Sequence, residues 1–447
     1  MYLNKKRGLD EMYKKLKGKT LLVMDRTALA ACAVARAKEM GIRTVVANFY
    51  KTEDSPSKQI ADVAVDIDIS DTPAMLKLIK DYKIDGIFVG WTDSHLPFYA
   101  EICEAAGLPC CGTVEQFDIL SNDKNRFKEK CIEYGVPTPE VFKVDINFKR
   151  EDLDKIIYPV MVKPADGSGG RGIMKCNNEE EMIVHYKELY EASDSKKIVC
   201  ERYMESDNEI FIHYTIQNGY CSLSSSFLKY KIDEEKSKAA SCLFHMFSPK
   251  FLDKYKEETE PAVIKMIEGL GIKNGNLMFQ GFEDNGKLYF HESGLRMGGE
   301  QFYVFAEKLN GISSLELMIE FALTGEMTLY NAKEQDNYKF SKYCCNYYIP
   351  LKPGKIAKIE GLDEINSMPQ VLQNKQFKFV GDEISATSSL DRVIFRIHVM
   401  DETKEAFAET LCNISDRIKI LDEKGNDMQL HKLEYDNVLA MINDAWE

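Results

Sequence analysis

Tyr158-Pro159-Val160-Met161-Val162-Lys163-Pro164-Ala165-Asp166-Gly167-Ser168-Gly169-Gly170-Arg171-Gly172-Ile173 is the stretch that decides the fold. The apolar run Val160 to Val162 predicts a short strand that ends on Lys163. Four glycines in six positions follow, Gly167, Gly169, Gly170 and Gly172. That is more glycine than a turn needs, and it leaves no side chain to pack. Such a loop exposes consecutive backbone N–H groups, which wrap an oxyanion. A lysine at its mouth adds a point charge suited to phosphate. The stretch predicts a nucleotide-phosphate site, with Ser168 adding a hydroxyl. Arg171 keeps two readings, a loop charge or a substrate contact.

Upstream, residues 20–115 alternate strand and helix. Thr20-Met24, Arg43-Phe49 and Gly86-Val89 read as strands; Ala28-Met40, Met75-Tyr82 and Leu96-Ala106 read as helices. This is a βαβ pattern with a parallel sheet, a Rossmann-like half. Its first turn, Met24-Asp25-Arg26-Thr27, has no GxGxxG, so a dinucleotide is not expected there. Leu9, Met12, Tyr13 and Leu16 predict a short amphipathic helix at the start. Asn122-Asp123-Lys124-Asn125 opens a helix that runs to about Tyr134. Downstream, Asn276-Phe282 and Leu288-Glu292 flank a turn at Asp284-Asn285-Gly286, which predicts a hairpin. From about Tyr343 the pattern changes to strands and Gly/Pro turns with one helix near Lys404-Ile414, a small α+β unit.

At 447 residues the chain is long enough for two to four domains. A net charge of −14 argues against a dedicated binder of nucleic acid or of an anionic membrane. Twelve cysteines carry no CxxC and no zinc spacing, which points to free thiols in a reducing cytosol. No apolar run reaches the length of a membrane span.

The second constellation is Phe290-His291-Glu292-Ser293-Gly294-Leu295-Arg296. Mg²⁺ takes one or two carboxylates plus phosphate oxygens and water. Glu292 at a strand end and Gln280 on the partner strand supply a carboxylate and an amide oxygen. By strand alternation the two face the same side only if the hairpin loop has an odd count; a two-residue Asn-Gly turn separates them. Arg296 is placed to hold a carboxylate or a transferring phosphoryl group.

Together, Asp123-Lys124, Lys163 with its loop, Glu201-Arg202-Tyr203-Met204 and Gln280…Glu292…Arg296 resemble the ATP-grasp enzymes over nearly the whole chain. The resemblance implies three units: a Rossmann-like pre-domain over 1–118, an ATP-grasp domain over 119–340 with its lid near 135–205, and an α+β unit over 341–447. It implies ATP and Mg²⁺, or Mn²⁺, as cofactors. Lys124, Lys163 and the loop Gly167, Ser168, Gly169 and Gly170 would take the phosphates. Backbone groups of Glu201 and Met204 would read the adenine edge, and Glu209 the ribose. Phe282 has two readings, adenine floor or core. His213 reads as structural; Lys229 and Lys231 have two readings, a solvated charge run, which is favoured, or a reach into the active site. Gly294 departs from the family, which usually places an asparagine ligand there.

Pro350-Leu351-Lys352-Pro353-Gly354-Lys355-Ile356 and Val380-Gly381-Asp382-Glu383-Ile384 resemble the closing domain of L-amino-acid ligases and related carboxylate–amine ligases. The implied reaction activates a small-molecule carboxylate as an acyl phosphate and joins it to an amine, with Lys163 and Arg296 as catalytic residues. The implied protein is cytoplasmic, with small-molecule partners, no nucleic acid or membrane, and a homodimer as one assembly. Bicarbonate activation, as in carboxylases and carbamoyl-phosphate synthesis, is one alternative. An ATP-binding protein without turnover is another.

Overall fold

A computed structural model describes residues 11–167, 172–206, 208–232, 241–385 and 391–447. Strands β1 (Thr20–Val23), β2 (Arg43–Asn48), β3 (Val63–Asp66) and β4 (Gly86–Phe88) form a parallel sheet in the order β3-β2-β1-β4. The helix Ala28–Glu39 starts where the Thr27 side chain accepts from the Ala30 N–H, a cap that satisfies one orphan donor. The edge strand β3, with its alternating burial, was absent from the sequence reading. Of the expected amphipathic helix at the start, Leu9 lies outside the described residues; residues 11–12 are helical and 13–18 turn, with Tyr13 and Leu16 buried.

This sheet is fixed to the rest of the chain at Gly86. A Cβ there would lie 1.9 Å from the Ala322 carbonyl oxygen, so only glycine lets the helix Ser314–Thr324 approach β4 so closely.

The lid is an antiparallel sheet of β5 (Val141–Phe142), β6 (Val160–Pro164), β7 (Met174–Cys176) and β8 (Ile198–Arg202), in the order β5-β8-β6-β7. The helix Glu179–Ala192 covers it, with Met182, Tyr186 and Leu189 turned inward against Val160, Val162 and Cys200. This small core is separate from the main one. Strand β6 ends on Lys163 and Pro164 as the opening stretch predicts; Ser168, Gly169, Gly170 and Arg171 lie outside the described residues.

The floor is one sheet of eight strands. In chain order they are β9 (Glu209–Gln217), β10 (Tyr220–Lys231), β11 (Cys242–Phe247), β12 (Gly275–Asp284), β13 (Lys287–Gly294), β14 (Tyr343–Pro350), β15 (Val371–Gln376) and β16 (Val393–Asp401). Their spatial order is β13-β12-β9-β10-β11-β14-β16-β15. The expected division between residues 340 and 341 thus runs between strands of a single sheet, where β11 pairs with β14. The main core is continuous across it, from Leu22 and Phe117 through Ile212 and Phe279 to Tyr347 and Ile397.

Candidate active site

Register decides which side chains share the floor's working face. Glu209 pairs with Lys229, Phe211 with Phe227 and Gln280, and Phe282 with Glu209. Because side chains alternate along a strand, Glu209, Phe211, His213, Lys229, Gln280 and Phe282 all project from one face. Gln280 also pairs with Glu292.

That last pairing corrects the parity argument from sequence. The hairpin turn has two residues, Asn285 and Gly286 with φ of 53° and 76°, between the paired Asp284 and Lys287. Such a turn alone sets Gln280 opposite His291 and puts Glu292 on the other face. The register shifts between Gln280 and Gly281, however, and Gly281 pairs with Phe290. His291 is the extra residue of a β-bulge. The odd residue sits in the strand and not in the loop, and it brings Glu292 across from Gln280.

Three charge clusters surround this face. In the first, the Glu201 carboxylate lies 2.6 Å from Lys163 Nζ and 2.5 Å from Lys128 Nζ, and all three residues are buried. Burial raises the Glu201 pKa, but the two ammonium groups outweigh it and lower the value to about 2. Lys128 also donates to the Thr138 hydroxyl. Sequence reading missed Lys128, although it follows Lys124 by four residues on the helix Lys124–Tyr134 and so shares its face.

In the second, Glu209 accepts from Lys229 at 2.9 Å, from Lys231 at 2.7 Å and from the Gln280 amide. Lys229 and Lys231 are therefore not a solvated charge run: both reach into the site. Burial opposes ionisation of Glu209, and the two lysines override it and hold the carboxyl well below the usual carboxylate range.

In the third, Lys124 Nζ lies 3.4 Å from Glu292 and donates to the Gly167 carbonyl at 2.6 Å. Asp123 caps this helix through the Asn125 N–H and pairs with Lys197 at 2.6 Å. Gly167 thus turns its carbonyl to Lys124.

His291 stands among the three clusters. It stacks on Phe282 with ring centroids 5.2 Å apart, and its Nε2 is buried without a partner. Burial pushes its pKa down to about 4, Lys163 adds to the fall, and Glu292 and Glu201 oppose it. Met204 lies in the irregular stretch that follows β8, and Phe282 lies half-buried on the working face.

Arg296 makes a two-pronged contact with Asp93, Nε to Oδ1 at 2.6 Å and Nη2 to Oδ2 at 2.8 Å. Beyond it Glu300 is buried, with His213 Nε2 at 3.4 Å and His245 Nδ1 at 4.0 Å. His213 is 1% exposed, which agrees with a structural reading. Asp93, Glu300 and His245 were missed. Asp93 had a signal: it follows the carboxyl end of a parallel strand, where open α/β sheets place their ligands. A cavity of about 550 Å³ joins the Lys124–Glu292 cluster to the Asp93–Arg296 pair, lined among others by Trp91, Asp93, Lys124, Gly167, Glu292 and Arg296. All twelve cysteines are free, and among the described residues no helix is long and apolar enough to cross a membrane.

Comparison with known proteins places this architecture. Residues 123–216 match the family model of the carbamoyl-phosphate synthase L chain ATP-binding domain. The chain is 26% identical over 346 residues to the 2-oxoglutarate carboxylase small subunit of Hydrogenobacter thermophilus, covering 73% of this chain and 70% of that one. It spans only about a quarter, 27%, of the carbamoyl phosphate synthase large chain of Clostridium beijerinckii. Among solved structures, L-amino acid ligase from Bacillus licheniformis superposes with a TM-score of 0.75 at 19% identity, over 91% of this chain and 99% of that one. The biotin carboxylase domain dimer of the Hydrogenobacter thermophilus 2-oxoglutarate carboxylase, in complex with MgADP and bicarbonate, superposes with a TM-score of 0.74 at 21% identity, over 95% and 94%. The lid, the floor and these matches agree: the fold is that of the L-amino acid ligase and biotin carboxylase structures, and residues 123–216 are similar to the ATP-binding domain of the carbamoyl-phosphate synthase L chain.

Proposed function

We propose that this protein is an ATP- and Mg²⁺-dependent ligase that activates a small-molecule carboxylate, an amino acid, as an acyl phosphate and joins it to an amine. One observation carries the reading: Lys124, Glu292 and Arg296 line one cavity at the lid's Gly167, and Lys124 reaches both Glu292 and the Gly167 carbonyl. Phosphate cations, a metal carboxylate and an acid-binding guanidinium are the parts that phosphoryl transfer to a carboxylate requires.

The residues present fit Mg²⁺. Gln280 gives its amide nitrogen to Glu209, which leaves its oxygen as an acceptor across from Glu292. One carboxylate and one amide oxygen suit an ion that keeps phosphate oxygens and water. Among the described residues no three or more His, Cys, Asp or Glu converge on a point, as befits a metal that arrives with its nucleotide. Bound there, Mg²⁺ would offset phosphate charge.

In this reading Lys163, Lys124 and the loop residues Gly167, Ser168, Gly169 and Gly170 take the phosphates. Backbone groups of Glu201 and Met204 take the adenine, Phe282 and His291 form its floor, and Glu209 with its lysines takes the ribose side. Arg296 presents the acid, whose carboxylate oxygen attacks the γ-phosphorus as ADP leaves. The amine then attacks the acyl carbon and phosphate departs. Lid closure excludes water from the acyl phosphate. Residues 1–118 supply one wall of the acid site, 119–340 the nucleotide site, and 341–447 complete the floor. A cytoplasmic homodimer is part of the proposal, supported by the unpaired thiols and by the dimer named for the carboxylase domain.

The test is ADP release with pairs of amino acids. Release that requires both an acid and an amine, and that falls more than about tenfold in kcat/KM for the acid in Arg296→Ala while the KM for ATP changes less than about threefold, supports the reading. ADP formation indifferent to acid and amine overturns it. The likeness to the carboxylase small subunit favours one second reading, bicarbonate as the acid, which requires bicarbonate-stimulated ADP release without an amine.

A further inference from the structure

Arg296 does not present a free charge. Its Nε and Nη2 hold Asp93, and its Nη1 donates to the Met297 carbonyl at 3.0 Å. The Asp93 and Arg296 side chains are 23% and 14% exposed, so the pair faces the cavity while largely sheltered from bulk water.

The segment that carries Asp93 is fastened on several sides. Met297 N–H donates to the Gly90 carbonyl at 3.1 Å, and Trp91 Nε1 to the Gly298 carbonyl at 3.2 Å. The Thr92 hydroxyl donates to Asp25 at 2.7 Å, and His95 Nδ1 meets the Met24 carbonyl at 2.6 Å. Asp93 therefore stays beside Arg296 when a substrate enters.

The other charges of the wall are matched as well. Lys124 faces Glu292, Asp118 holds Arg126 at 2.5 Å, and Asp123 holds Lys197. Asp166 accepts from Ser193 and Ser195. Among the described residues that line the cavity, the Asn122 side-chain nitrogen is a spare donor, buried without a partner.

A simple carboxylate entering here would compete with Asp93 for one guanidinium and strand a sheltered negative charge, which is costly. A molecule with a carboxylate and a nearby ammonium leaves no group unmatched. Its carboxylate shares Arg296 and takes the spare Asn122 donor, and its ammonium takes Asp93.

We propose that Asp93 is a specificity-determining residue that reads the α-ammonium of a zwitterionic amino acid, so that the Asp93–Arg296 pair selects amino acids over plain carboxylic acids. This rests on the ligase reading for the place of the acid, but not on turnover. The probes are the common α-amino acids, each with its des-amino acid, for example alanine with propionate and phenylalanine with 3-phenylpropionate. Binding is measured by calorimetry on the full chain saturated with Mg²⁺ and a non-hydrolysable ATP analogue. At least one amino acid binds about tenfold or more tighter than its des-amino partner. In Asp93→Asn that ratio falls below about threefold, because the ammonium loses its carboxylate while Arg296 gains room for a plain acid. Asp93→Glu retains a preference, and both variants keep their affinity for the ATP analogue, which checks that they fold. Equal binding of amino and des-amino acids, binding of no amino acid by chain that holds the ATP analogue, or an undiminished ratio in Asp93→Asn overturns the inference. ADP release with MgATP reports separately on ligation. Zwitterion selection without ADP refutes the ligase and keeps Asp93; ADP release without selection does the reverse.

Discussion

In the proposed reading, the nucleotide end and the acid end of the site are built differently. At the nucleotide end, Lys163, Glu201, Glu209, Lys229 and Lys231 sit on strands of the lid and floor and Lys128 on the helix that follows Asp123, and each carboxylate meets two lysines. At the acid end, Asp93 opens the single 3-10 turn Asp93–His95 in the connection after the first sheet, Arg296 lies in the loop after the hairpin, and the two meet one to one. Strands and helices fix geometry tightly, while loops change without disturbing a core. The contrast assigns the part of the reaction that must not vary, phosphate handling, to regular structure, and choice of acid to loops.

The sharpest way to break that contrast is at the strands. Lys163→Ala and Glu292→Ala are expected to lower ATP turnover by about a hundredfold or more, with circular dichroism unchanged; undiminished ADP release in either variant removes the nucleotide end from the mechanism. Next in size is Lys128→Met, which leaves Glu201 with one ammonium instead of two. Breaking a buried pair costs about 3 kcal/mol, and urea unfolding at pH 7 reads it directly. A loss under about 0.5 kcal/mol makes Lys128 a bystander.

A pH series probes the far side of the acid end. Burial depresses the His245 pKa from its ordinary 6.5 to about 4, with Glu300 opposing. Between those values the unfolded chain binds more protons at this histidine than the folded chain does. Its contribution is therefore full above about pH 6.5 and is lost as pH falls toward 4. His245→Gln should shrink the stability lost between pH 7 and 4.5, by up to about 3 kcal/mol; parallel wild-type and variant curves remove His245 as the source. The smallest effect is expected at Gly294, where an added Cβ meets only ordinary contacts, 3.4 Å to Met278 and 3.5 Å to Arg296. Gly294→Asn should lower the Mg²⁺ needed for half-maximal turnover about threefold, read by metal titration, and an unchanged requirement places Gly294 outside the metal site.

The parallel sheet, the strand before Lys163 and the hairpin were all legible, because apolar periodicity and turn residues are local properties. So were the polar residues that line the cavity from one stretch each, Lys124, Glu292 and Arg296. Three things were not. The bulge at His291 arises from how two strands settle against each other, and no composition in Phe290-His291-Glu292 marks it. The Glu209–Lys229–Lys231 cluster requires knowing that β9 and β10 pair in that register. The Asp93–Arg296 contact joins residues 203 positions apart, a separation that pattern within one segment cannot span.

The strand order of the floor has a practical outcome for dissecting this protein. Cutting the chain after residue 340 would not release a self-contained nucleotide-binding fragment. It would strip β14, β15 and β16 from the sheet and leave the length of β11, Cys242–Phe247, with its hydrogen-bonding groups bare along a hydrophobic edge. Such a fragment is expected to precipitate or to recruit another copy along that edge, so a workable expression unit keeps the whole sheet and the helices Lys404–Arg417 and Tyr435–Trp446, which bury Phe407, Leu411, Ile414, Val438 and Ile442 in the same core.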